Sequence, residues 1–349
     1  SQCFNSYEGR LTVHNFFCFF LMIIWIFPLS SKANEEIPAY DSSPNWQHVS
    51  KETKDICKSV ENISIPPTNI PDFTNLKGLE KCNANELYYG FSRDPDYIKA
   101  YQCAQFHHEY GILAMLYANG KGVKLNLDIA THYACKFGGA TAEIEARVKH
   151  LEALKRAGEQ KGEFDICDDI TSGYMMGWCS SIAAHFLDAK RLKQQRFLLE
   201  NWTSQEQKTF AVLQKAFKAY LEARGGEINK SGTARAMLVI EEETALKDRL
   251  LKTLNDTNQC NTPTFSTTQY QEADRQLNVL YKKIQNKEFP SIYCINKEDI
   301  KKTQRAWLKY RDGWVTLGSL KCPNISKDSW KTLITKERIK ELQDLMDLL

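Results

Sequence analysis

The side chains in this sequence that come closest to a metal site are His107, His108 and Glu109, with His132 further along the chain. A zinc protease helix instead has two histidines four residues apart, with the glutamate next to the first, so that both rings lie on one helical face. The spacing here is different. We interpret these histidines as surface residues or packing residues of a helical repeat, and we predict no metal and no cofactor.

Other catalytic patterns are also missing from the sequence. Gly120–Gly122, Gly-Lys-Gly, lacks the spacer and the following Ser or Thr of a phosphate-binding loop, so we interpret it as a tight turn between helices. No nucleophile elbow and no recognisable Cys/His pair is present. Glu241–Glu243 lie close in sequence to Lys247 and Arg249, which is typical of a solvated helix with ion pairs. We therefore predict a protein that is not an enzyme, with a cryptic cell-wall enzyme as an alternative.

The N-terminus predicts export. Arg10 precedes an apolar run of about fourteen residues, Phe16–Leu29, which ends before small residues up to Ala33. A membrane-spanning helix needs roughly 20 apolar residues. We predict a signal peptide, residues 1–33, cleaved after Ala33, and a periplasmic protein without a stable membrane span; an uncleaved anchor is the alternative.

The formal net charge of +3 becomes +2 when residues 1–33, with Arg10, Lys32 and Glu8, are removed. This near balance gives no electrostatic reason to expect a nucleic acid or an anionic membrane as partner.

Amphipathic patterns predict an all-α fold. Lys302–Asp312, KTQRAWLKYRD, belongs to a longer run in which Trp307, Trp314 and Leu317 recur at helical spacing. Tyr270–Ile284 before it and Ser326–Leu349 after it have the same period. We predict three helices in this part of the chain.

The same arrangement occurs once before in the chain. Leu213–Glu222 matches Thr303–Asp312 when shifted by 90 positions, with Phe217 in place of Trp307. Helices are predicted on either side of this copy, within residues 181–200 and 233–254. The repeated order of elements indicates an internal duplication of a helical unit.

The segment before these units predicts a short helical repeat array. Leu113–Gly138 reads as a helix, a turn and a second helix, and it resembles a Sel-one-like repeat; Cys82–Ala104 is a degenerate copy. We assign residues 81–160 to this helix-turn-helix module. Residues 34–80, rich in Pro, Ser, Thr and Asn, are expected to be an irregular lead-in.

Export makes disulfides the default expectation for the nine cysteines after residue 33, and an odd number leaves one thiol free or intermolecular. Cys82 and Cys103 are expected to pair across one hairpin. Cys103 and Cys135 occupy equivalent positions of successive repeats, which lie farther apart than the about 7 Å that a disulfide allows between Cα atoms.

The other pairings are more open. Cys167 and Cys179 are expected to close a short loop, with Cys135 or Cys57 as alternative partners. Cys57 could also tether the lead-in to the body. The sequence does not rank the pairings among the three remaining cysteines, Cys260, Cys294 and Cys322.

Two groups of residues carry a resemblance to a known family. The first is Ala273-Asp274, Leu277-Asn278 and Tyr281, and the second is Gln304–Leu308 and Tyr310–Asp312. Together they resemble the lysozyme inhibitor LprI-like family of exported bacterial helical domains. Residues 256–349 form the better match, and residues 161–255 resemble a divergent second member. The resemblance implies an envelope location and protein binding, with a lysozyme-like hydrolase as partner. An immunity protein that neutralises a periplasmic toxin is the alternative.

A possible binding face follows from these residues, and it can be interpreted in two ways. Its members are residue types that dominate protein interfaces, but they could equally fill a helical core, which is the interpretation we favour. Animal-type lysozymes are basic, and residues 256–349 carry 16 Lys plus Arg against 12 Asp plus Glu. Binding would therefore use shape and aromatic contacts, or a basic side chain such as Arg305 or Arg311 directed at the catalytic carboxylates. The set is Gln304, Arg305, Trp307, Tyr310, Arg311 and Asp312.

Overall fold

The computed structural model describes residues 45–67, 78–91, 93–158 and 164–348, and the predicted signal peptide lies outside these ranges. The predicted all-α class is confirmed, because the described residues contain α-helices and short 3-10 turns but no strand. The helices are α1 (Lys51–Val60), α2 (Ala84–Tyr89), α3 (Tyr97–His107), α4 (Tyr110–Asn119), α5 (Leu127–Lys136), α6 (Thr141–Ala157), α7 (Gly173–Leu199), α8 (Ser204–Arg224), α9 (Arg235–Asn258), α10 (Thr267–Gln285), α11 (Lys297–Lys321) and α12 (Lys327–Asp347). None of these helices combines the length and the apolar character that crossing a membrane requires.

Helix α1 lies in the segment for which an irregular structure was expected. The Ser50 side chain accepts a hydrogen bond from the Thr53 backbone N–H and so caps the helix. Thr53, Cys57 and Val60 are spaced four and three residues apart, and this face is buried against α5 and α6. The prolines that follow α1 obscured this short pattern, because they dominate the composition of the segment.

Helices α2 to α6 pack in chain order, each against the next, and α4 also contacts α2. Residues 111–118 of α4 are all buried, so this helix is the centre of the first core. Gly90 and Gly120 end α2 and α4 in the left-handed region, with φ of 70° and 61°. The helix–turn–helix arrangement expected for Leu113–Gly138 is therefore present as α4 and α5.

Among the six helices α7 to α12, the most extensive contacts join helices that are not neighbours in sequence, and α11 also packs against α12. Helix α7 packs against α9, α10 against α12, and the two middle helices, α8 and α11, against each other. One core contains buried residues from α8 to α12, including Phe217, Tyr220, Trp307 and Trp314. The segments 161–255 and 256–349 thus share a hydrophobic core.

Candidate functional site

Helix α11 is held by its apolar face. Asn296 caps its first turn by accepting a hydrogen bond from the Asp299 backbone N–H, at 2.9 Å. Ile300, Trp307 and Trp314 are 1% exposed or less and pack towards α8 and α12. The opposite side of the helix is therefore presented to solvent in a fixed orientation.

The solvent-facing side of α11 carries a row of basic residues. We call this row the basic stripe, and it consists of Lys302, Arg305 and Lys309. All three are exposed, and they follow one another at steps of three and four residues. Within the part of the chain that the structure describes, no carboxylate forms an ion pair with any of them, whereas the neighbouring Lys301 pairs with Glu298 at 3.6 Å. Leu308, 37% exposed, lies beside the stripe. Basic side chains that form no ion pair with a described residue remain available to an external acceptor.

The sequence-predicted binding face is divided by the fold. Trp307 and Tyr310 are 1% and 4% exposed, so they belong to the core and cannot contact a partner. Both lie on the side of α11 that packs against α8, which is the core position that the sequence interpretation favoured for them. Arg311 is mostly covered: its guanidinium lies over the Trp307 ring, at 5.3 Å from the centroid, and donates two hydrogen bonds to Asp312. Of the set, Arg305 and Asp312 remain exposed.

Gln304, the remaining member, points to a charged cluster inside the protein. Its side-chain oxygen accepts a hydrogen bond of 3.0 Å from Nε of Arg338, which is fully buried. The Arg338 guanidinium also donates to both oxygens of Glu227, at 2.7 and 2.8 Å, and to Glu341 at 3.1 Å. This bidentate pairing is the strong geometry for Arg and carboxylate.

Residues of α8 and α9 complete this cluster, which we call the polar centre. Glu341 accepts hydrogen bonds from Arg249, at 2.6 Å, and from the Tyr220 hydroxyl. Arg224 lies within 3.3 Å of Glu227 and 3.0 Å of Glu242. The polar centre thus consists of Tyr220, Arg224, Glu227, Glu242, Arg249, Gln304, Arg338 and Glu341. It joins α8, α9, α11 and α12 across the shared core.

The arginines decide the charge state of the polar centre. Burial acts to raise the pKa of Glu341, but the adjacent Arg338, Arg224 and Arg249 outweigh it and hold this pKa below its ordinary value. Nearby cations stabilise the ionised form of Glu337, on the same helix, less strongly. Burial raises the pKa of Glu337 to about 7, and Arg249 only partly opposes this. The paired carboxylate stays ionised at neutral pH, while Glu337 titrates there.

The polar centre was not anticipated from the sequence. A signal was available, because Arg338 and Glu341 stand on the helical stripe that also carries Ile334 and Leu345. Charged residues at core positions of an amphipathic helix indicate buried ion pairs. Glu242, which was interpreted as part of a solvated face, is in fact an ion-pair partner of the buried Arg224.

The structure brings together the cysteines that were expected to pair. Cys82 and Cys103 form a disulfide with Cα atoms 6.0 Å apart, and Cys167 and Cys179 form one at 5.7 Å. Cys57 pairs with Cys135 across 78 residues, which tethers α1 to α5, and Cys260 pairs with Cys322.

The histidines serve the fold. His132 is buried and its Nδ1 lies 2.9 Å from the Val60 carbonyl oxygen, while Nε2 of His107 lies 2.8 Å from that of Leu79. Cys82, Cys103 and His107 come close enough together to hold a metal. Both sulfurs are already joined in a disulfide, which leaves no thiolate for a metal.

Comparison with known proteins finds a similarity in one part of the chain. A family model described as lysozyme inhibitor LprI matches residues 252–342. The match covers the end of α9, all of α10 and α11, and most of α12, and it includes the basic stripe. No curated protein and no solved structure matches the chain at a significant level.

Proposed function

We propose that the protein binds a lysozyme-like hydrolase through α11 and lowers its activity. The observation that carries the proposal is the basic stripe, which lies on the exposed face of the helix at the centre of the LprI-matching region. The protein would act by binding alone. A lysozyme-like partner is inferred from the description of that family model.

The chemistry of such a partner explains how a basic side chain could inhibit it. Glycoside hydrolases of this kind use two carboxyl groups that flank the scissile bond in an open cleft. Arg305 has an exposed guanidinium, a bidentate donor for a carboxylate, and no ion-pair partner among the described residues. Arg311 is a poorer candidate, because Trp307 and Asp312 already hold it. Arg305 would therefore enter the cleft, with Leu308 covering its rim.

Charge at longer range opposes this encounter. Residues 256–349 carry four more basic than acidic side chains, and an animal-type lysozyme is also basic, so the two proteins repel each other before contact. Salt screens repulsion over distances beyond about 8–10 Å. We expect the association rate to rise between low and physiological salt, which is opposite to the behaviour of an inhibitor with an acidic face.

We also propose that α7–α9 and α10–α12 are two copies of one unit. Each residue of 211–220 is buried, half-buried or exposed in the same way as its counterpart in 301–310. Tyr220 and Tyr310, which are equivalent under the shift of 90 positions, stack with ring centroids 5.3 Å apart. Contact between equivalent residues is what a two-fold arrangement of two similar units produces.

The duplication supplies a matched control for the binding test. Lys215 is equivalent to Arg305 and is equally exposed, but Val212 and Ala219 stand where α11 has Lys302 and Lys309. The first copy therefore keeps one of the three residues of the basic stripe, with Lys218 standing where α11 has Leu308. Only the second copy would inhibit.

The test uses the oxidised chain, and hydrolysis of purified peptidoglycan is followed for an animal-type lysozyme and for lytic transglycosylases. We expect stoichiometric inhibition of at least one of them. Arg305→Glu should weaken inhibition by about a hundredfold, as removal of a charged hot spot does, and Lys215→Glu should leave it unchanged. Equal effects of both substitutions, or no inhibition of any enzyme, would overturn the proposal.

The proposed location is the periplasm of a bacterium. Four disulfides among the described residues require an oxidising compartment to form and persist. Fractionation of the native host, with the disulfides probed by alkylation before and after reduction, tests this location. Recovery of fully reduced protein from the cytosol would contradict it.

A further inference from the structure

A cleft of about 780 Å³ opens where the helical repeat module meets the start of the next segment, far in sequence from the basic stripe. Its walls come from α2, the start of α3, the turn after α4, residues 164–168 and α7. The volume falls in the range typical of sites for small ligands. Aromatic residues form much of the lining: Tyr88, Tyr89, Tyr97, Phe164 and Phe186.

The Gly120–Gly122 turn places a cation in this cleft. Gly122 has a φ of 70°, and a Cβ atom there would lie 2.7 Å from the Tyr97 carbonyl group, so only glycine lets the turn approach α3 this closely. As a result, Nζ of Lys121 lies 5.0 Å from the ring centroid of Tyr88 and 5.4 Å from that of Tyr97. The ammonium is thus fixed beside two aromatic faces.

Carboxylates line the other wall. Asp165 accepts hydrogen bonds from the Tyr89 hydroxyl, at 3.0 and 3.2 Å, and from the Cys167 backbone N–H at 2.9 Å. Asp168 is exposed and also lines the cleft. Phe186, 45% exposed, stands edge-on to Tyr89 with the ring centroids 6.0 Å apart.

Two disulfides fix the walls in place. Cys82–Cys103 joins the start of α2 to α3, and Cys167–Cys179 joins the carboxylate wall to α7. A site that is rigid before the ligand arrives loses less entropy on binding. The cleft is therefore preorganised for a ligand.

The mixture of groups restricts what this ligand can be. Lys121 and Asp168 each have one hydrogen bond inside the protein, to the Tyr88 hydroxyl and from the Asp165 backbone N–H. A purely apolar molecule would cover their remaining donor and acceptor positions without pairing them. The carboxylates of Asp165 and Asp168 would repel an anion. The Lys121 ammonium, which already lies beside the tyrosine rings, would repel a cation. A neutral compound remains, with one apolar face for the aromatic rings and with hydroxyl groups that can both donate to a carboxylate and accept from an ammonium. A sugar ring has this combination.

We propose that this cleft binds a saccharide chain, with the Phe186 ring under the C–H face of a sugar ring and with Lys121 and Asp168 bound to its hydroxyl groups. The proposal does not depend on the inhibitor function. If both hold, the protein would bind the wall glycan at one end and the enzyme that cleaves it at the other.

The test measures binding of the whole oxidised chain to two probes. One probe is the soluble tetramer of N-acetylglucosamine, studied by calorimetry; the other is insoluble peptidoglycan from which the stem peptides have been removed, studied by co-sedimentation. Binding of both the tetramer and the wall would show that the cleft recognises a short stretch of sugar units within the glycan. Binding of the wall alone assigns a longer stretch of polymer, and either result supports the proposal.

Variants decide whether the cleft is responsible. Phe186→Ala and Lys121→Met should each weaken binding by about tenfold or more, as expected for loss of a central contact. Phe197→Ala is the matched control, because Phe197 is 76% exposed on the same helix but outside the cleft; it should bind normally. Thermal unfolding checks that each variant is folded. No binding to either probe, binding that needs the stem peptides, or full binding by both cleft variants would overturn the proposal.

Discussion

Replacement of Arg338 by methionine should destabilise the protein strongly, although Met fills a similar volume. Arg338 is fully buried and donates four hydrogen bonds, two of them to Glu227, which is itself buried. Its removal would leave the Glu227 carboxylate in a region of low dielectric, with Arg224, at 3.3 Å, as the one remaining ion-pair partner among the described residues. Breaking a buried ion pair in this way costs about 3–5 kcal/mol.

The lower part of that range is expected here. Arg224 still balances part of the Glu227 charge, and Glu341 retains its bond to Arg249 at 2.6 Å. We expect the free energy of unfolding to fall by about 3 kcal/mol for Arg338→Met. Glu227→Gln combined with it should cost clearly less than the sum of the two single changes, with a coupling of about 1–3 kcal/mol.

Urea unfolding, followed by tryptophan fluorescence at pH 7, measures these values. The single and double variants are compared at equal ionic strength, with the slope of the transition checked for two-state behaviour. A loss below about 1 kcal/mol for Arg338→Met, the level typical of a solvent-exposed ion pair, would refute the buried, paired state of this residue.

Three further predictions concern stability. Burial raises the pKa of Glu337 from 4.5 to about 7, so between these pH values the folded state holds a proton that the unfolded state releases. The free energy of unfolding should therefore fall as pH rises from 4.5 to 7. Urea titrations at a series of pH values measure this fall, and Glu337→Gln should flatten it. Cys57→Ser should cost about 2–4 kcal/mol and expose α1 to limited proteolysis, since this disulfide closes a 78-residue loop. Gly318→Ala should cost about 1–3 kcal/mol by thermal unfolding, because the new Cβ would lie 2.2 Å from the buried Trp330 ring.

The helices were predictable where an apolar stripe had a clear period. The predicted pattern around Lys302–Asp312 became α11, and its neighbours became α10 and α12. An apolar stripe shows which side of a helix is covered, but not whether another helix or a partner protein covers it. The sequence favoured a core for Trp307 and Tyr310 but left an interface open, and the packing of α8 on α11 decides that they are buried.

Sites that depend on residues distant in sequence were out of reach. Lys121 and Asp165 face each other across the aromatic cleft because a glycine turn and a disulfide-bonded loop meet there. Neither segment shows this on its own. The pairing of Arg338 with Glu227 has the same origin, since it joins residues 111 positions apart. Local periodicity carries no information about such contacts.

The most direct test of the proposed function is a double-mutant cycle between Arg305 and a catalytic carboxyl group of the inhibited hydrolase. Arg305→Ala and the Glu→Gln or Asp→Asn variant of the enzyme are combined, and the four dissociation constants are measured by calorimetry. A direct contact predicts a coupling of about 1.5 kcal/mol or more, as close charge pairs at interfaces give. A coupling near zero, with both single changes weakening binding independently, would show that Arg305 does not reach the active site.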